Sequence, residues 1–251
     1  MQPTINIPLY LDWSFWTAAV AVLALVLSQL PPIYLLLKHA KLDMELFSFM
    51  HITHKVGNPN VQLHLILSNI GGRDVRIKGS TIAIKRDGKD VALLPAQNYL
   101  QNPNDKTTVL FTPFSLKPKE EWAHIVNYLN YFSREDNKKY RSAESDLKKD
   151  IYEKREKPEN KDKLVEADKG IFSVFIDMFN TSFIWHPGEY EVKITINTKP
   201  ESARLKKNYR FTLFESDSKE LSKAIEDYKF GDGIYWNSDK HQGSIVQIAE
   251  V

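Results

Sequence analysis

Between Phe15 and Leu37 the chain carries no charged side chain, and Asp12 is the only one before Lys38. At about 1.5 Å per residue such a run extends roughly 34 Å as a helix, against about 30 Å for the hydrocarbon core of a bilayer. Phe15 to Leu30 alone reaches only roughly 24 Å, so the residues after Pro31 and Pro32 are needed to complete a crossing. Two successive prolines remove two backbone donors and disfavour helical geometry at Leu30; a membrane helix tolerates this as a kink when neighbours or water satisfy the freed carbonyls. The expectation is a short N-terminal segment, 1–12, then a single transmembrane helix over 13–42 bent at Pro31-Pro32. The alternative is a helix ending near Leu30, with Ile33 to Leu42 in the interface.

The flanks of this run suggest an orientation. Tyr10, Trp13, Phe15 and Trp16 cluster at one edge, as aromatic residues do at a membrane–water boundary, and Lys38, His39 and Lys41 mark the other. The basic side is expected inside, which makes this a single-pass cell-membrane protein with its C-terminal domain in the cytoplasm; an extracytoplasmic domain is the alternative. The opening MQPTINIPLYLDW has no Lys or Arg, unlike the start of a signal peptide. Thr17, Ala21, Ala24 and Ser28 recur at helical spacing and form a small-residue packing face. The partners expected from these features are the lipid bilayer and either a protein partner or further copies of the chain.

A chain of 251 residues leaves room for one sizeable domain beyond that segment. Its 34 Lys and Arg nearly balance 32 Asp and Glu, which argues against a nucleic-acid binder that relies on a strong positive field. With no cysteine, disulfides, thiol nucleophiles, Fe–S clusters and Cys-based zinc sites are excluded together.

Over 43–118 the pattern is β. DMELFSFMHITH (Asp43 to His54) and VQLHLILSN (Val61 to Asn69) are strand-like, with Val61, Leu63, Leu65 and Leu67 on one face. Asn69-Ile-Gly-Gly reads as a turn, Gly79 as a bulge, and Asp87-Gly88 as a hairpin turn. TTVLFTPFSL continues the sheet, with Pro113 confining its second half to an edge or loop. From Lys119 to Lys157 the period changes: Trp122, Ile125, Val126, Leu129 and Phe132, then Tyr140, Ala143, Leu147 and Ile151, form a stripe at helical spacing. This predicts a charged helical insertion and linker over 119–169.

Strands are expected to resume over 170–216: IFSVFIDMFN (Ile171 to Asn180) as a central strand, then EYEVKITINT with Tyr190, Val192, Ile194 and Ile196 inward, then NYRFTLFE as its partner. The run Pro187-Gly188-Glu189-Tyr190-Glu191-Val192 resembles the turn and strand start of many immunoglobulin-like and fibronectin-like sandwiches, a resemblance that implies fold only. The expected fold is therefore mainly β, an antiparallel immunoglobulin-like β-sandwich with a long inserted amphipathic helix, preceded by the transmembrane helix. In 217–251, Asp217 and Glu220 look like a capping pair for a short helix carrying Leu221, Ala224, Ile225 and Tyr228 and stopped at Gly231. Ser244 to Val251 reads as a last strand on the domain's own edge or on a partner's.

No phosphate loop, nucleophile elbow, zinc helix or EF-hand loop is present. His51 and His54, three apart in a strand, point to opposite faces, and His64, His124 and His186 are isolated. No catalytic, metal or cofactor residues are expected, whereas Trp185, Tyr235 and Trp236 are candidates for a partner surface. The functional expectation is a non-catalytic module that recruits protein partners at the membrane. One alternative is a membrane subunit of an oligomeric effector or transport complex; another, if the topology is inverted, is an extracytoplasmic ligand-binding sandwich.

Overall fold

The computed structural model describes residues 13–29, 39–160, 163–237 and 243–251. β1 (Leu42–Lys55) and β2 (Asn58–Asn69) form a hairpin through Val56-Gly57, whose φ angles are 50° and 81°. Such two-residue turns match the twist of the strands they join. A Cβ on Gly57 would lie 2.5 Å from the carbonyl oxygen of Phe179, so only glycine lets a helix seat directly on this turn. β3 (Val75–Arg86) and β4 (Lys89–Leu100) repeat the device at Asp87-Gly88, as the sequence predicts.

β5 (Val109–Leu110), β6 (Phe114–Leu116), β7 (Glu121–Leu129), β8 (Gly188–Lys199), β9 (Leu205–Leu213), β10 (Gly243–Gln247) and β11 (Ala249–Glu250) complete an antiparallel sheet of 11 strands. Its order is β10-β1-β2-β7-β4-β3-β8-β9-β11, with β5 on β4 and β6 on β3. Only Ile248 separates β10 from β11, so the two ends of that order belong to one stretch of chain. The sheet therefore nearly closes into a barrel. β4 turns the opposite corner: it pairs with β3 as far as Pro95, then with β7 from Ala96. β6 takes the positions along β3 that β4 has left, pairing with Val75 to Ile77.

This continuous sheet corrects the expected immunoglobulin-like sandwich of two separate sheets. The physical reason is that chain segments at both corners exchange partners, so hydrogen bonding continues around them and few sheet edges remain open. The predicted inward faces do form the core: Val61, Leu63, Leu65 and Leu67 of β2 and Tyr190, Val192, Ile194 and Ile196 of β8 are buried. Within it the Tyr128 hydroxyl and Ser80 Oγ lie 2.8 Å apart and satisfy one another.

Four further helices are interspersed with the later strands. α2 (Arg134–Arg155) is capped by Ser133, whose Oγ accepts from the Asp136 N–H at 3.0 Å, and it buries Tyr140, Ala143, Leu147 and Ile151. α3 (Lys169–Ser182) buries Phe175, Met178 and Phe179; α4 (Glu215–Ser222) and α5 (Ala224–Asp227) come after β9. Together they cap the barrel at the β1–β2 turn, where Trp185 Nε1–H donates to the Thr53 carbonyl at 2.9 Å and His54 Nε2 meets the Leu221 carbonyl at 2.7 Å.

Several expectations are corrected. The predicted helix over Trp122 to Leu129 is strand β7: Trp122, His124, Val126 and Tyr128 pair with the inward Leu67, Leu65, Leu63 and Val61, a period of two. Apolar Ala123 and Ile125 on the other face hide that alternation in the sequence. Conversely, Ile171 to Asn180 is helix α3, because Phe175, Met178 and Phe179 share one buried side at helical spacing. Asp217 lies within α4, which starts at Glu215, so it is not the cap. Ser244 to Glu250 joins the protein's own sheet.

The N-terminal helix, α1, runs from Trp13 to Gln29 and comprises 17 residues, roughly 26 Å long. No helix among the described residues is long and apolar enough to cross a membrane. This overturns the single-pass span expected over 13–42 and the cell-membrane placement built on it. Leu42 already belongs to β1, and the Lys41 carbonyl accepts from the Gly71 N–H at 3.0 Å. Tyr10, Lys38 and the Pro31-Pro32 bend lie outside the described residues. Trp13, Trp16, Thr17, Ala21, Ala24 and Ser28 are all exposed; the Thr17 and Ser28 hydroxyls bond back to the Trp13 and Leu25 carbonyls of their own helix.

Candidate binding cleft

Where the strands reach the helical cap, β1, β2 and β7 end beside the first turns of α2 and enclose a cleft of about 540 Å³. β1 contributes His54 and Lys55, and β2 contributes Asn58, Pro59 and Asn60. Leu129 to Phe132 follow along β7 and its exit, and Asn137, Tyr140 and Arg141 come from α2. Asn60 pairs with Leu129, on the opposite side of the sheet from the buried Val61 and Leu63. Strand alternation therefore directs polar side chains outward into the cleft while their neighbours fill the barrel.

The walls are fixed by hydrogen bonds. His54 uses both ring nitrogens: the Gly57 N–H donates to Nδ1 at 3.2 Å, and Nε2–H donates to the Leu221 carbonyl at 2.7 Å. Its ring stands edge-on to Phe179 and Phe183, at 5.1 and 5.5 Å. The Asn58 amide donates to the Asn130 carbonyl at 2.7 Å, and the Asn130 amide to the Leu93 carbonyl at 2.9 Å, closing the lower wall.

Tyr140, itself buried, backs the wall of the cleft. Burial and the nearby Glu144 carboxylate push its hydroxyl up to about 12, against the opposing effect of Arg141. The group stays protonated at neutral pH and donates to the Ile234 carbonyl at 3.1 Å. Lys55 Nζ lies 5.3 Å from the centre of this ring, and the Arg141 guanidinium lies 6.0 Å from it. Arg141 also meets Glu144 at 2.9 Å, whereas Lys55 has no carboxylate partner among the described residues. Tyr131, 66% exposed, stands on the rim.

One atom lining the cleft is left unsatisfied by the described residues. The carboxamide oxygen of Asn60 is buried without a hydrogen-bond partner among the described residues. Buried acceptors are ordinarily satisfied, and an orphan at the edge of an open cleft calls for a donor from outside. The arrangement thus offers the cations of Lys55 and Arg141, the exposed ring of Tyr131 at the rim, several amides and a free acceptor. This suits non-covalent recognition of an anionic group carried next to an N–H or O–H donor. Among the described residues no three His, Asp or Glu side chains are grouped to hold a metal ion.

The sequence-predicted partner residues lie elsewhere. Trp185 is fully buried beneath the cap; Tyr235 is half-buried, its ring 6.4 Å from that of Tyr152; Trp236 is 37% exposed and donates to the Phe230 carbonyl at 2.7 Å. Trp185 is therefore a core residue and does not form a surface with the other two. Lys55, Asn58, Asn60 and Arg141 were not singled out by sequence reasoning. Asn58-Pro59-Asn60 carries the only local signal, polar positions flanking a buried residue, and nothing in the sequence links it to Arg141 of α2.

No protein-family model matches the chain, and no curated protein matches it. The crystal structure of a protein from Archaeoglobus fulgidus aligns over 82% of this chain and 96% of its own, at 9% identity and a TM-score of 0.21. A likeness at that level carries no argument about fold or function.

Proposed function

We propose that this protein is a binding module that recruits a protein partner by holding an acidic segment of it in the cleft between the β1–β2 hairpin, β7 and α2. The observation that carries this reading is the buried, unpartnered Asn60 oxygen. A backbone N–H of a bound segment would satisfy it, while Lys55 and Arg141 take a neighbouring carboxylate and the remaining cleft amides meet peptide groups. The exposed ring of Tyr131 adds an apolar contact at the rim. Such recognition requires no covalent step.

The test is site-directed photo-crosslinking in cells. A benzophenone side chain replaces Tyr131 in one version and Thr212, exposed on β9, in another. A discrete protein adduct from position 131 that Lys55→Glu abolishes supports the proposal. Equal adducts from both positions, or adducts indifferent to Lys55→Glu, would overturn it.

A further inference from the structure

Away from the cleft, strand pairing sets Arg76 of β3 directly opposite Lys199 of β8, both exposed on the outer face. Like charges placed opposite one another on a sheet are unfavourable. The next cation is brought in by a bulge: Ile77 pairs with Thr198 and Gly79 with Asn197, which leaves Lys78 as the extra residue. Bulges re-aim the side chain of the inserted residue, and Lys78 here lines a depression of about 630 Å³ with Asn197, Thr198, Lys199, Glu201 and Arg204. The Thr198 hydroxyl donates to the Pro200 carbonyl at 2.8 Å and holds the wall of this depression.

The charge is poorly compensated. Glu201 is the only acid lining the depression, and it meets Arg204 at 3.9 Å with both side chains exposed. Arg76, Lys78 and Lys199 have no ion pair with any described residue. The chain as a whole is nearly neutral, at a formal +2, so this excess is local. We propose that the depression beside Arg76, Lys78, Lys199 and Arg204 binds a phosphate-bearing anion with at least two negative charges. The anion would relieve the Arg76–Lys199 opposition, with the lysines acting as point charges and the arginines as planar donors.

The experiment uses the full chain and inorganic pyrophosphate, with sodium chloride at matched ionic strength as the control. Thermal unfolding and calorimetric titration supply two readouts. The wild type is expected to bind pyrophosphate saturably and to gain thermal stability. Lys199→Glu, which turns the like-charge pair into an ion pair, is expected to raise the midpoint without anion while weakening pyrophosphate binding at least tenfold. Lys78→Ala should weaken binding without that gain. Vesicles of phosphatidylcholine with and without phosphatidic acid separate the possible sources. A pyrophosphate response without phosphatidic-acid-dependent sedimentation assigns a soluble ligand; sedimentation that depends on phosphatidic acid and falls in Lys199→Glu assigns a headgroup. Neither response in the wild type, or responses that Lys199→Glu leaves intact, would overturn the proposal.

Discussion

The indole N–H of Trp185 donates to the main-chain carbonyl of Thr53 at 2.9 Å, joining the chain after α3 to the last turn of β1. Trp185 is fully buried, and its own carbonyl accepts from Ser218 Oγ at 2.7 Å, so one residue links barrel, α3 and α4. Trp185→Phe keeps much of the aromatic volume but leaves the Thr53 carbonyl short of this donor, and is expected to cost about 1 to 3 kcal/mol. Trp185→Ala also leaves a cavity and should cost about 3 to 5 kcal/mol. Urea unfolding curves would test both values, and equal, small losses would show that the cap and barrel are not coupled here.

Alkaline pH should dissolve the same junction. Burial raises the hydroxyl of Tyr190 to about 12 against the opposing influence of Arg86, and burial likewise raises Tyr140 to about 12, from a usual value of 10.0. The Tyr190 oxygen lies 2.7 Å from both the Ile184 and His186 carbonyls, acceptors that favour the protonated form. A group whose folded value is raised binds its proton more tightly when folded. Its stabilising contribution is complete below about pH 10 and is lost as pH rises towards about 12. Tyrosinate absorbance followed with circular dichroism should show late-titrating groups ionising together with loss of structure. Complete tyrosine titration in a protein that remains folded would contradict this.

The strands were legible wherever one face is apolar and the other charged. Tyr190, Val192, Ile194 and Ile196 alternate with the exposed Glu189, Glu191 and Lys193, and this part of the pattern reads correctly because only one register buries it; Thr195, expected outward, is buried. β7 and α3 were misread for the converse reason: Trp122 to Leu129 and Ile171 to Asn180 are apolar on more than one side, so their period is ambiguous until tertiary packing selects it. The barrel closure was legible only as a choice between edges, because it depends on pairing Gly243 to Gln247 with β1 and Ala249 to Glu250 with β9. The cleft was not legible at all. Its residues come from segments about 70 positions apart, an arrangement that no local pattern encodes.

Asn60 distinguishes a structural amide from one kept for binding. Replacing an unpaired buried polar group with an apolar one of similar size is neutral or stabilising, whereas removing a structural amide leaves its partners unsatisfied. Asn60→Leu is therefore expected to change stability by about −0.5 to +1 kcal/mol while abolishing the crosslink at position 131. A loss of more than about 2 kcal/mol would identify Asn60 as part of the framework.

The exposed N-terminal helix makes a different prediction. Since the side chains of Trp13 to Ser28 are exposed, none of them belongs to the buried core. Deleting residues 13–29 should leave the urea midpoint of the remaining chain within about 0.5 kcal/mol of its original stability. Differential hydrogen exchange would check this independently, with unchanged protection expected in β1 and β2.

The C-terminal segment should behave in the opposite way. Val246 and Ile248 are 5% and 7% exposed, the Ile248 N–H donates to the Ser48 carbonyl at 2.9 Å, and Ser244 Oγ donates to Asp217 at 2.9 Å. Glu250 adds a contact to Lys207 at 3.2 Å. Truncation after residue 242 removes the buried side chains of Val246 and Ile248 and uncovers the core they pack against, worth about 3 to 6 kcal/mol. It also bares the edges of β1 and β9 at once, and open edges invite pairing between molecules. The truncated chain is expected to unfold at lower urea concentration and to form dimers or larger species in light scattering, whereas Ile248→Asp should show the stability loss with less association because its edge strand remains. A truncated protein that stays monomeric with an unchanged midpoint would mean that the barrel is held closed without this segment.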